Sequence, residues 1–161
     1  ARFGVNLGGG MHEAALGSDN YELMPGARRF DLGNYNYVGS AAAAESIGLL
    51  NEVGVPKIEA YVGMLTHQLA AGLYELGLPV AGGAPGEHLT SMICVGEEGG
   101  GHDATDDEDM ASLARHLSQH GVKHSIRRGR IRLSLHLYNT EENVAEVISL
   151  AKAWRDGRAA A

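Results

Sequence analysis

The chain holds a single cysteine, Cys94, so no disulfide can form within it, and a lone thiol suits a reducing compartment. No apolar run approaches the length of a membrane span, and no secretory signal pattern opens the sequence. Together these absences lead us to expect a soluble cytoplasmic protein. Cations are scarce. Lys and Arg number 13 against 20 Asp and Glu, a formal net charge of −7 that argues against nucleic acid or an anionic membrane as the main partner. There is no internal repeat. Glycine, by contrast, is plentiful, and with asparagine and proline it breaks every period over residues 1–38. That stretch reads as loop with one short strand at residues 2–5. At 161 residues the chain makes one domain, or one domain with an appendage, and can bury a proper core.

Regular patterning begins at Ser40. The alanine-rich run "AAAAESIGLLNEV" reads as a helix ended by Gly54. Pro56 suits the first position of a second helix. In that helix Ile58, Val62, Leu65, Leu69, Leu73 and Leu76 recur at three- and four-residue steps up to Gly77. "LTSMICVG" is a strand candidate. "EEGGGHDATDDED" reads as a flexible acidic loop whose residues 105–108 have capping-box spacing. The helix that follows carries the apolar stripe Met110, Leu113, Ala114 and Leu117 and ends at Gly121. A strand over residues 122–127, a turn at 128–129, a strand from Arg130 and a last helix capped by Thr140 complete the chain. Val144, Val147, Ile148 and Ala151 face inward from that helix. The order helix-helix-strand-helix-strand-strand-helix predicts an α+β fold: a small, mainly antiparallel three-stranded sheet covered by helices.

The stretch with most to say about function is "RIRLSLHLYNT", residues 130–140. In an extended strand Ile131, Leu133, Leu135 and Leu137 line one face, and Arg130, Arg132, Ser134 and His136 the other. A mid-strand guanidinium can offer a carboxylate or phosphate a bidentate fork that lysine cannot match. The pattern fits equally a solvated strand face, or an arginine paired with a nearby acid. His116, His120 and His124 raise the question of a metal, since the first two stand one helical turn apart. Histidines near a helix C-terminus also simply complement its dipole, and that is the reading we take. The acidic loop lacks the alternating register of a calcium loop, and "NLGGG" lacks the flanks of a phosphate loop. Cys94, inside an apolar strand, is expected to pack rather than react.

"GARRFDLGNYNYVG" (26–39), the helices after it and "GRIRLSLHLYNTEENV" (129–144) together resemble the C-terminal part of the class V aminotransferases. These are fold-type-I pyridoxal-phosphate enzymes related to the cysteine desulfurases and isopenicillin N epimerases. The resemblance implies that residues 1–38 correspond to the end of the large domain and an inter-subunit loop, and 39–161 to the C-terminal small domain. It implies that Arg132 binds the α-carboxylate of an amino-acid substrate. Gly33 and Asn34 fall where a Gly-Thr pair contacts the cofactor phosphate, with Asn34 in place of the commoner threonine, and Arg29 matches an arginine of the same element. It further implies a homodimer. The family's Schiff-base lysine and the aspartate that pairs with the pyridine nitrogen have no counterpart here, for Lys57, Lys123 and Lys152 match neither in place nor in context. The chain alone is therefore expected to bind no pyridoxal phosphate and to be inactive. The desulfurases carry a reactive cysteine on a loop just before the arginine, where this chain has only Arg128 and Gly129. That argues against a desulfurase of that type and leaves transaminase, epimerase or C–S lyase open. The competing reading is a stand-alone, non-enzymatic domain that binds a small carboxylate or a protein partner.

Overall fold

The computed structural model describes residues 5–7, 21–23, 25–27 and 36–159. By density of internal contacts the chain divides into two units, Ala1–Leu49 and Leu50–Ala161. In the first, β1 (Val5–Leu7) pairs antiparallel with β2 (Tyr21–Leu23), Asn6 standing opposite Glu22. The strand expected at residues 2–5 meets β1 at Val5, residues 2–4 lying outside the described residues, and its partner β2 falls in a stretch read as loop. Helix α1 (Tyr37–Val53) begins four residues before the alanine run. The Asn36 side chain explains the early start, since its Oδ1 accepts from the Gly39 N–H at 2.8 Å.

In the second unit α2 (Val55–Glu75) carries proline in its first turn and buries Val62, Leu65, Thr66, Leu69, Ala70 and Leu73. Gly77 terminates it with a φ of 78°, a left-handed conformation open to glycine. The turn closes when Leu78 N–H reaches back to the Leu73 carbonyl at 3.1 Å. β3 (Met92–Val95) and β4 (Ser125–Arg127) flank β5 (Arg130–Ser134), both antiparallel to it. Helices α3 (Glu108–Gln119) and α4 (Glu141–Ala159) complete the set. The predicted element order and three-stranded antiparallel sheet are the ones observed.

The core is the meeting of periodic faces. Met110, Leu113, Ala114 and Leu117 of α3 and Val144 and Ala151 of α4 join the α2 stripe over Ile93, Val95, Ile131 and Leu133 of the sheet. A fully buried leucine contributes about 1.5–3 kcal/mol, so these residues dominate the stability of the unit. Polar latches close the helix layer: Trp154 Nε1 donates to Ser112 Oγ at 3.1 Å, Arg155 to the Leu76 carbonyl at 3.3 Å, and Arg158 pairs with Asp109.

Three local expectations need correction. The cap of α3 is Asp107, whose Oδ1 accepts from the Asp109 and Met110 N–H groups at 2.8 and 3.2 Å, while Thr105 Oγ1 holds the Asp107 N–H. β4 starts at Ser125 rather than 122, because Val122 N–H is still tied to the Leu117 carbonyl at the end of α3. The acidic loop is not free. Gly99 N–H donates to the Arg128 carbonyl, Arg128 N–H to the His102 carbonyl and Gly129 N–H to the Ala104 carbonyl, so the loop is laid against the β4–β5 turn.

Candidate functional site

The sheet has two chemically distinct faces. Ile93, Val95, Ile131 and Leu133 point to the helices and are buried. On the opposite face β5 places Arg130, Arg132 and Ser134, β4 places Ser125 and Arg127, and β3 places Met92 and Cys94. Arg132 stands in the middle, with Cys94 as its partner on one side and Ser125 on the other. It is half-buried, and its Nε is shielded from solvent with no hydrogen-bond partner. The same holds for Arg130. Neither makes an ion pair among the described residues. Among the described residues, then, no acid engages Arg132.

Two neighbouring arginines are satisfied. Arg127, which faces Arg130 across the ladder, pairs with Asp103. Arg128 lies 3.9 Å from Glu98. Both acids come from the docked loop, so the loop's carboxylates are spent on the arginines closest to the turn. The turn itself needs a glycine. Gly129 has φ 90°, and a Cβ there would sit 2.5 Å from the Glu97 carbonyl oxygen and 2.7 Å from the Gly99 backbone.

The alternation of residues 130–137 outlasts the strand. Pairing ends at Ser134, Leu135 N–H makes one more bond to the Ser91 carbonyl, and the chain then turns. Asn139 Oδ1 accepts from the His136 N–H at 2.8 Å, and the His136 ring stacks on Tyr138 with centroids 5.0 Å apart. His136 lies beyond the end of β5, its ring held beside Tyr138. Ser134 borders a cavity of about 380 Å³ floored by Leu69, Leu133, Leu135 and Val147, but Arg132 does not line it. Cys94 lies inside strand β3, as expected. It belongs to the arginine face, half-buried, rather than to the apolar core.

The His116 and His120 rings lie together, with centroids 4.4 Å apart and planes tilted by 47°. His120 Nδ1 engages the His116 carbonyl at 2.8 Å and His124 Nδ1 the Val122 carbonyl at 3.2 Å. Among the described residues no group of three or more His, Cys, Asp or Glu could hold a metal ion. No described helix is long and apolar enough to cross a membrane. Gly33, Asn34 and Arg29 lie outside the described residues.

A family model described as Aminotransferase class-V matches residues 4–147. The uncharacterized aminotransferase YcbU of Bacillus subtilis (strain 168) is 30% identical over 122 residues, which cover 76% of this chain and 30% of that protein. The fold is similar to that of an apo cysteine desulfurase from Thermococcus onnurineus NA1, with a TM-score of 0.67 and 21% identity, over 86% of this chain and 36% of that one. A NifS-like protein matches at a TM-score of 0.58 and 22% identity, over 82% and 37% respectively. The chain thus spans about a third of the length of each of these relatives. The family match runs unbroken from the N-terminal segment through the Arg132 strand into α4, and the chain belongs to the class-V aminotransferase family.

Proposed function

We propose that this chain is the C-terminal small domain of a pyridoxal-phosphate-dependent enzyme of the class-V aminotransferase type that acts on an amino acid, with Arg132 as the fork for the substrate carboxylate. The observation that carries the reading is the unpartnered, half-buried guanidinium on the central strand. A part-buried guanidinium whose Nε meets neither water nor an acceptor favours a ligand that brings a carboxylate to the fork. The family uses pyridoxal phosphate. In this proposal Gly33 and Asn34 contribute contacts to its phosphate.

The lysines of this chain do not suit the cofactor's aldehyde. Lys57 and Lys152 are exposed on α2 and α4, and Lys123 lies ahead of β4, so none stands on a strand beside Arg132. We therefore assign no covalent step to this chain by itself. The reading also includes association of two copies. Val38, Ile47 and Leu49 of α1, exposed by 83%, 56% and 54%, support it.

Titration of the chain with propionate, followed through the Arg132 Nε–Hε resonance, tests the assignment. A saturable shift that Arg132→Lys removes is the expected result. An unresponsive Arg132 would overturn it. Borohydride reduction after incubation with pyridoxal phosphate should leave no stoichiometric adduct on a single lysine, and such an adduct would contradict the claim that the chain alone is incompetent.

A further inference from the structure

Arg130 is the second guanidinium on the arginine face without a partner among the described residues. It lies two residues from Arg132 on the same strand, so the two side chains leave the backbone in the same direction roughly 6–7 Å apart. Each has a solvent-shielded Nε without a hydrogen bond. Across the ladder Arg130 faces Arg127, a like charge that would repel it were Arg127 not paired with Asp103. The chain carries seven more acids than bases, and two acids of the adjoining loop engage the arginines nearest the turn. Arg130 and Arg132 are left side by side, each half-buried with a shielded Nε and no ion pair among the described residues. One carboxylate answers only one of them.

From this we infer that the face accepts a dicarboxylate, one carboxylate on Arg132 and the second on Arg130, so that the substrate class is an acidic amino acid. The inference rests on the carboxylate role proposed for Arg132 and adds Arg130 as the residue that selects the second acid. A four- or five-carbon dicarboxylate has about the reach to place one carboxylate on each fork. Cys94 and Ser125, the neighbours of Arg132 on the flanking strands, are uncharged and leave that approach without a competing carboxylate.

The experiment uses the chain with Arg130 and Arg132 Nε–Hε resonances assigned by Arg→Lys substitution. Propionate, glutarate and sulfate are titrated at matched ionic strength. Glutarate should shift both resonances and bind at least about tenfold more tightly than propionate, which should shift Arg132 alone. Arg130→Gln should bring glutarate down to the propionate level and leave propionate binding unchanged. Should Arg130→Gln fail to fold, as judged by its amide spectrum, Arg130→Lys serves instead. Keeping the charge but losing the fork, it should retain only part of the glutarate advantage. Equal affinities for glutarate and propionate, or sulfate acting as strongly as glutarate, would overturn the inference while leaving the Arg132 assignment standing. Silence of Arg132 toward every carboxylate would instead remove the reading on which both depend.

Discussion

Helix α2 contains two glycines that make opposite predictions for the same substitution. At Gly63 a Cβ would meet nothing within 4 Å. Gly63→Ala should therefore show the helix-propensity gain alone, about 1 kcal/mol of stabilisation. At Gly72 the added Cβ would lie 2.8 Å from Ile148 Cγ1 and 3.2 Å from Cγ2, with Cδ1 nearer still. Ile148 is β-branched and sits in a helix, where χ1 has essentially one favourable well, so it cannot swing aside cheaply. Overpacking of this kind costs about 1–3 kcal/mol. Taking its middle against the same propensity gain, Gly72→Ala should destabilise by about 1 kcal/mol, and the two variants should differ by about 2 kcal/mol. Urea unfolding followed by circular dichroism measures both. Ile148→Val, which removes Cδ1, supplies the partner change. Alone it should cost about 0.5–1.5 kcal/mol, and less than that, or nothing, when combined with Gly72→Ala. A Gly72→Ala protein as stable as Gly63→Ala, or strict additivity with Ile148→Val, would refute the close α2–α4 approach.

Gly129→Ala should destabilise by at least about 2 kcal/mol, since a left-handed φ and backbone overlap with residues 97 and 99 act together, and the loss is measurable as a lower urea midpoint. Asp107→Ala should cost about 1 kcal/mol through loss of the α3 cap, whereas Asp107→Asn, which keeps the acceptor, should cost markedly less in the same assay. The Glu142 carboxyl is held below the usual glutamate range by a hydrogen bond from the Thr140 side chain and then by its own backbone N–H. A depressed folded pKa adds stability above the unfolded value that is lost as pH falls through the folded one, so a carbon-detected titration should find Glu142 below the ordinary glutamate value, and Thr140→Val should raise it.

What could be read in advance was what depends on period. The α2 stripe from Val62 to Leu73 and the α3 stripe from Met110 to Leu117 are buried because a 3.6-residue repeat leaves one face for the core. The two faces of β5 were legible for the same kind of reason. Its end was not, because Leu135 and Leu137 keep the alternation going after the ladder has stopped. The decisive bond there, Asn139 Oδ1 to the His136 N–H, is a side chain closing a turn, which alternation does not encode. Asn36 at the start of α1 and Asp107 at the start of α3 are the same kind of event. The facing of Cys94 was not legible for another reason. Met92, Ile93, Cys94 and Val95 are all apolar, so nothing within the run marks which residues face the helices, and only pairing with β5 settles it.

The acidic loop shows how a feature that looks like solvated surface acts on the site. Read locally, its carboxylates suggest mobility and water. In the fold its backbone is held by bonds to residues 128 and 129, and its acids can reach only as far as that anchor allows. Asp103 therefore meets Arg127 and Glu98 approaches Arg128, while Arg130 and Arg132, farther along the strand, stay beyond both. A looser loop in so acidic a chain would be free to close on all four guanidiniums, because the Coulomb attraction of a part-buried pair greatly exceeds that of a solvated one. Tight docking thus serves two ends at once. It neutralises the like-charge repulsion that would weaken the β4–β5 turn, and it withholds carboxylates from Arg130 and Arg132, the two arginines of the proposed site. The close fit at Gly129 is what makes that separation possible, since a side chain there would push the loop off the turn.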